Sequence, residues 1–200
     1  ALKASVGVGK GTVTLDDFLE AETILCVGQN PGTNHPRMLS TLAEAVGKGA
    51  QLIAINPLKE AGLTGFAHPQ QIGWLLGFST PLASTYLQVR VNGDFALFRG
   101  IAKALVALGA VDEAFIGEHG NDYETYRSLL EETTWQEIEE RSSIPRDQIE
   151  EVAATMARGE RRLITCWAMG LTQHRNAVAT IREIANVHLL LGAVGRPGAG

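Results

Sequence analysis

The feature that most constrains the fold is a pair of short apolar runs joined by a glycine-containing loop and an amphipathic stretch. Thr23–Val27 and Gln51–Ile55 have the aliphatic and β-branched composition of strands buried on both faces of a sheet. Between them, Pro36–Lys48 places apolar side chains on one helical stripe, and its leading proline suits the first turn of a helix. The stretch therefore predicts a β-α-β unit.

Such a unit offers a binding site at the carboxyl ends of its strands, where a helix N-terminus and open N–H groups favour an anion. The first strand runs into Gly28-Gln29-Asn30-Pro31 and the second into Asn56-Pro57. The dinucleotide fingerprint G-x-G-x-x-G is absent, and the second strand is followed by Asn56 rather than by an acid. Both departures count against an ordinary nicotinamide site.

Two more strands, each followed by a glycine loop and a helix, are predicted further along the chain. Tyr86–Val91 leads into Asn92-Gly93-Asp94 and a helix over 95–109, and Leu163–Trp167 leads through residues 168–174 into a helix over 176–191. Short helices fill much of the segment between the two. The predicted fold is α/β, with a doubly wound, mostly parallel, Rossmann-like sheet that has helices on both faces.

Composition excludes several classes of function. A net charge of −5 over 200 residues, without a basic cluster, argues against a nucleic-acid partner. No signal-peptide pattern is visible, and no apolar run is long enough to span a bilayer, so no membrane partner is expected. The two cysteines, Cys26 and Cys166, both fall in predicted strands and are interpreted as small core residues in a reducing, cytoplasmic location.

Two segments carry weaker signals. Ser5–Thr12 superficially resembles a phosphate-binding P-loop, but Lys10 is followed by glycine and no strand precedes it, so a flexible lead-in over residues 1–21 is predicted ahead of the domain at 22–200. Residues 58–84 are rich in glycine and proline and form an unusually long connection, which is often functional.

The loops together resemble those of the molybdopterin oxidoreductases of the dimethyl-sulfoxide-reductase superfamily. The resemblance rests on the Gly28-x-Asn30-Pro31 loop ending in Asn34-His35-Pro36-Arg37, on Gly93-Asp94, on the Met-Gly-x-Thr-Gln pattern at 169–173, and on the glycine-rich end at 190–200, where Leu191 replaces the usual Thr. The sequence of residues 88–94 looks most like that of the formate-dehydrogenase alpha-subunit-like subfamily.

The resemblance implies a cofactor-binding domain of a larger multidomain enzyme. Its members carry molybdenum or tungsten on two molybdopterin guanine dinucleotides and move two electrons to or from a small substrate such as formate. The residues that it places at the cofactor are Gly28, Gln29, Asn30, Asn34, His35, Arg37, Asn56, Pro57, Gly93, Asp94, Met169, Gly170, Thr172, Gln173 and His174.

The resemblance also implies functional groups that this sequence does not contain. The metal-ligating residue and a 4Fe-4S cluster are expected in a preceding region, because two cysteines cannot bind a cluster. We therefore expect no catalytic residue and no metal ligand here, and an isolated chain that is inactive. The expected partners are the remaining domains of the same polypeptide and an electron-transfer subunit.

Some alternatives stay open from the sequence alone. Asp94 stands at a helix N-terminus, where a carboxylate commonly caps the helix; the family resemblance suggests instead that it accepts hydrogen bonds from guanine. The full protein could be a nitrate- or sulfoxide-type reductase of the same superfamily. It could also be a non-catalytic scaffold or contain a nicotinamide-type Rossmann domain.

Overall fold

A computed structural model describes residues 1–66, 79 and 81–200 of the chain. Its sheet contains, within these residues, β1 (Thr23–Val27), β2 (Gln51–Ile55), β3 (Thr85–Leu87) and β4 (Leu163–Trp167). The strand order is β3-β2-β1-β4, and all three pairings are parallel. The chain moves outward from β1 to β3 and then returns to β4 on the other side of β1, so the sheet is doubly wound with its switch point between β1 and β4.

Helices connect the strands. In the described residues they are α1 (Leu2–Val6), α2 (Pro31–Asn34), α3 (Pro36–Gly47), α4 (Ala61–Thr64), α5 (Asp94–Ala107), α6 (Glu113–His119), α7 (Tyr123–Glu132), α8 (Trp135–Ser142), α9 (Arg146–Met156), α10 (Met169–Thr172), α11 (Ala177–Leu190) and the 3-10 helix Asp16–Leu19. None of the helices in this part of the chain is both long and apolar enough to cross a bilayer.

Both faces of the sheet are covered, because alternate strand side chains point to opposite faces. Leu25 and Val27 of β1 belong to one core, together with side chains from α5, α8, α9 and α11. Ile24 and Cys26 belong to a second core with Leu42 of α3 and other residues of that side. The predicted fold class is confirmed, and both cysteines are free.

Three segments differ from the sequence-based predictions. The third strand ends at Leu87 instead of Val91, because the Arg90 N–H binds Ser142 O and the chain turns away from β2. The loop after β1 contains α2, since the side chain of Asn30 accepts a hydrogen bond from the Thr33 N–H and caps that turn. Part of the predicted lead-in forms α1, and part of the loop-rich stretch 58–84 lies outside the described residues.

A buried ion pair joins α5 to α11. Arg99 Nε donates to Glu183 Oε1, and the two side chains are only 12% and 3% exposed. Glu183 Oε2 also accepts hydrogen bonds from Tyr126 Oη at 3.1 Å and Asn186 Nδ2 at 2.9 Å. Burial, together with the charge of Glu183, raises the pKa of Tyr126, so its phenol remains a donor. The guanidinium further lies 5.0 Å from the Phe95 ring centroid.

Candidate functional site

The loops that follow β1 and β4 meet in a backbone-to-backbone contact at the switch point. A Cβ added to Gly170 would lie 2.4 Å from Gly28 O, and one added to Gly28 would lie 2.8 Å from Leu171 Cδ1. Gly28 also has φ +57°, a left-handed conformation that favours glycine. Both positions therefore require glycine. Their lack of side chains lets the two loops pack directly against each other at the switch point, which is the place where doubly wound sheets bind ligands.

Hydrogen bonds and a close backbone contact join the loops after β1 and β2. Asn56 is buried, and its Nδ2 donates to Gln29 O at 3.1 Å. Asn30 Nδ2 donates to Glu60 Oε2, while the backbone of Gly62 lies so close to that of Gly32 that an added Cβ would be 3.0 Å from Gly32 Cα. The side-chain amides of Asn30 and Asn56, both predicted cofactor residues, thus form hydrogen bonds that position the two loops.

The turn after β3 places a buried carboxylate at the start of α5. Gly93 is the N-cap residue, and a Cβ there would meet Arg141 O at 2.7 Å, so this turn too requires glycine. Asp94 is the first helical residue. Gly93 and not Asp94 occupies the N-cap position, because the helix begins one residue earlier than a cap at Asp94 would place it.

The environment of Asp94 is unusual for a carboxylate. The residue is 4% exposed, and burial raises the pKa of its carboxyl, although a hydrogen bond with its own backbone and the nearby His174 act in the opposite direction. Apart from these two, no partner of the carboxylate is found among the described residues. The carboxylate therefore lies within electrostatic range of His174, in the loop that follows β4.

The remaining predicted residues present open surface. Asn34, His35 and Arg37 are exposed, and their side chains have no hydrogen-bond partner within the described part of the chain. Met169, Gly170, Thr172 and Gln173 are exposed on α10 and just after it. Pro57 is half-buried and accepts a hydrogen bond at its carbonyl from Gln88 Nε2 at 2.9 Å.

The charges at this edge favour an anion. Four exposed cations lie at the loops of this edge: Arg37 in the first turn of α3, and Lys59, Arg90 and Arg175 in the loops after β2, β3 and β4 respectively. The acids of the same loops are engaged or buried, since Glu60 binds Asn30 and Asp94 is enclosed. An edge with this balance attracts phosphate groups more readily than cations.

All four loops lie at one edge because every strand pairing is parallel. Each predicted strand is followed by one of these loops, so the topology places Gly28–Asn30, Asn56-Pro57, Gly93–Asp94 and Met169–Gly170 at the same edge. Their role as cofactor ligands stays a prediction. The sequence-based prediction missed Glu60, Gly32 and Gly62, whose contacts join loops that are far apart in the chain. Within the described residues, no group of three or more His, Cys, Asp or Glu side chains could hold a metal ion.

Comparison with known proteins identifies the family. A family model described as molybdopterin oxidoreductase matches residues 5–200. The chain belongs to the molybdopterin oxidoreductase family. An uncharacterized oxidoreductase of Mycobacterium tuberculosis is 44% identical over the whole chain, which corresponds to 26% of that relative. Formate dehydrogenase H of Escherichia coli is 23% identical over the whole chain and 25% of its own length.

A solved structure supports the fold of this molybdopterin oxidoreductase domain. Acetylene hydratase from Pelobacter acetylenicus superposes with a TM-score of 0.72 at 18% identity, over 92% of this chain and 25% of that one. At that identity, the likeness concerns the fold alone. The chain spans about a quarter of the length of the curated relatives that it matches.

Proposed function

We propose that this chain holds a molybdopterin guanine dinucleotide in a molybdenum- or tungsten-dependent oxidoreductase. The observation that carries the proposal is that the loops after all four parallel strands lie at one edge of the sheet in a chain of this family. The full protein is proposed to resemble formate dehydrogenase, which oxidises formate to carbon dioxide with release of a proton and two electrons.

The residues at the carboxyl edge fit such a cofactor in three respects. The close packing of Gly28 against Gly170 fixes the two loops that border the switch point, where doubly wound sheets bind nucleotides. Four exposed cations balance its negative charge. The carboxylate of Asp94 offers only acceptors, which suits the N–H donors on the edge of guanine.

The chain's own residues would bind and orient the cofactor. In the proposal Arg37 and His35 contact phosphate oxygens, while Asn30 and Asn56 keep the loops after β1 and β2 in register. In the proposal, the loop after β4 contacts the cofactor through Met169, Thr172, Gln173 and His174. The bound metal supplies the two-electron chemistry by changing its oxidation state.

The proposal assigns the remaining functions to parts of the full protein beyond these 200 residues. They include the residue that ligates the metal, a 4Fe-4S cluster that receives electrons, and contacts with an electron-transfer subunit. A cytoplasmic location is part of the proposal, and two free cysteines favour it because oxidising compartments promote disulfides.

Metal analysis of the full-length protein tests the proposed cofactor, and formate-dependent reduction of a dye tests the substrate. We expect molybdenum or tungsten together with a guanine nucleotide released on denaturation, and dye reduction that depends on formate. The 200-residue chain alone should show no turnover. Metal and nucleotide without formate activity would indicate another reductase of the superfamily, and the absence of both would contradict the proposal.

Replacement of Asp94 by Asn tests the guanine contact. Asn loses the charge and turns a donor toward the donors of guanine, and a charge-assisted hydrogen bond contributes about 1.5–3 kcal/mol. We expect cofactor affinity of the full-length protein to fall by roughly ten- to a hundredfold. Cofactor content after dialysis measures this. Wild-type content in the variant would exclude a guanine contact by Asp94.

The same variant has a pH-dependent signature in the cofactor-free protein. The folded-state pKa of Asp94 is raised, so its contribution to stability is complete below the unfolded-state value of 3.8 and is lost as pH rises through the folded-state value. Asn does not titrate. The melting temperature of Asp94→Asn relative to wild type should therefore increase over that pH interval and remain constant above it.

A further inference from the structure

A cavity of about 460 Å³ lies beside the carboxyl ends of β1 and β4. Its walls are the N-terminal segment from α1 to Val13, the carboxyl end of β4, and the face of α11 that carries Ala185 and His188. Gln29 and Met38 close the side toward the loop after β1. The volume falls in the range of small-molecule sites in proteins, which are mostly apolar with a few placed polar groups.

Two polar groups of the wall satisfy each other. Burial lowers the pKa of His188 to about 4, so the imidazole is neutral at pH 7. Its Nδ1 lies 3.0 Å from Ala193 O and donates to that carbonyl, which leaves Nε2 to accept from Thr165 Oγ1 at 2.7 Å. These side chains are structural, because their hydrogen bonds are complete without a ligand.

Gln29 differs from this pair. It is 5% exposed, and its Nε2 donates to Met38 Sδ at 3.3 Å, a weak acceptor. Its Oε1 is buried without a hydrogen-bond partner in the described part of the chain. A buried amide oxygen left without a donor is costly and uncommon in folded proteins, so the cavity beside it is where a donor belongs.

The charges of the residues that line the cavity limit which molecules can bind there. Lys10 lines the cavity, whereas none of the described lining residues is an Asp or Glu. Cys166 also lines it, and burial raises the pKa of this thiol to about 12, so it is uncharged at pH 7. A cation would find no carboxylate or thiolate here, whereas a neutral or anionic molecule meets no repulsion.

We propose that this cavity binds a small, largely apolar organic ligand without positive charge that donates a hydrogen bond to Gln29 Oε1. Two sources share this chemistry: a ring of the cofactor proposed above, or a separate organic substrate. The first source rests on the proposed function, and the second does not.

The test uses full-length protein, as isolated and after removal of bound cofactor, with indole and indene as probes. The two molecules have nearly the same shape, and only indole carries an N–H donor. We expect the cofactor-free wild type to bind indole at least about threefold more tightly than indene, as a net hydrogen bond provides. Gln29→Leu should abolish this preference, and Gln51→Leu, the same change at an exposed position at the amino end of β2, should retain it.

The melting temperature of each variant checks folding. Gln29→Leu replaces an unpartnered amide by an apolar side chain, so this variant should melt no lower than wild type. If Gln29→Leu does not fold, Gln29→Met, which has an unbranched side chain, is used in its place. Binding of indole to the cofactor-free form alone assigns the cavity to the cofactor ring, and binding to both forms assigns it to a separate substrate. Equal binding of the two probes, no binding of either, or a preference that survives in the Gln29 variant would overturn the proposal. Metal and nucleotide content are measured independently, so a failure of the proposed function can be distinguished from a failure of the proposal for this cavity.

Discussion

Gly28→Ala is expected to lower the free energy of unfolding by about 2–5 kcal/mol, the sum of a left-handed conformation without glycine and an overpacked contact. The added methyl group would lie 2.8 Å from Leu171 Cδ1 and 3.0 Å from Gly170 C, at φ +57°. Relief requires the loops after β1 and β4 to move apart, so the cofactor content of the full-length protein should fall as well. Urea denaturation and metal analysis measure the two effects.

Gly117→Ala is the matched control for that substitution. Gly117 lies inside α6, and a Cβ there would meet nothing within 4 Å. Because alanine is a better helix former than glycine, this change should stabilise by about 0.5–1 kcal/mol and leave cofactor content unaltered. If both variants behaved alike, the close approach of the two loops would be irrelevant to the site.

Arg99→Leu should destabilise the protein by about 3–5 kcal/mol, because it leaves the carboxylate of Glu183 buried without its cation. Tyr126 and Asn186 would still donate to Glu183, but neither carries a charge. Chemical denaturation monitored by circular dichroism measures the loss.

Two further variants make this measurement specific. Arg127→Leu removes the cation of an exposed pair with Glu131, and should change stability by no more than about 0.5 kcal/mol. The double variant Arg99→Leu/Glu183→Leu removes both buried charges and should recover much of the loss, since apolar replacement of a buried pair is often close to neutral. A single Arg99 variant as stable as the Arg127 variant would refute the importance of the buried pair.

Sequence patterns predicted the sheet well where burial dominates. β1, β2 and β4 have the expected bounds, because a strand covered on both faces requires an uninterrupted apolar run. β3 is shorter than predicted, since its pairing depends on where Ser142 stands and no local pattern contains that information. The start of α5 was misplaced for a similar reason: Asp94 is a common capping residue, but the tight turn at Gly93 decides where the helix begins.

The loops that form the candidate site could be predicted from the sequence, but the contacts between those loops could not. A glycine directly after a buried strand identified Gly28 from the sequence, and the family resemblance supplied Gly170. The hydrogen bond from Asn30 to Glu60 and the approach of Gly32 to Gly62 depend on the packing of separate loops. The unpartnered oxygen of Gln29 likewise becomes visible only when every neighbour is in place.

The pairing of β1 with β4 has a thermodynamic consequence. Its two strands come from opposite ends of the chain, so their pairing closes a long loop and orders the helices between them. A ligand that contacts the backbone at both Gly28 and Gly170 binds only after this closure, and it therefore stabilises the closed form by mass action. At a ligand concentration a hundred times the Kd, that contribution is about 2.7 kcal/mol. Ligand binding at the switch point and docking of β4 are in this way parts of one equilibrium.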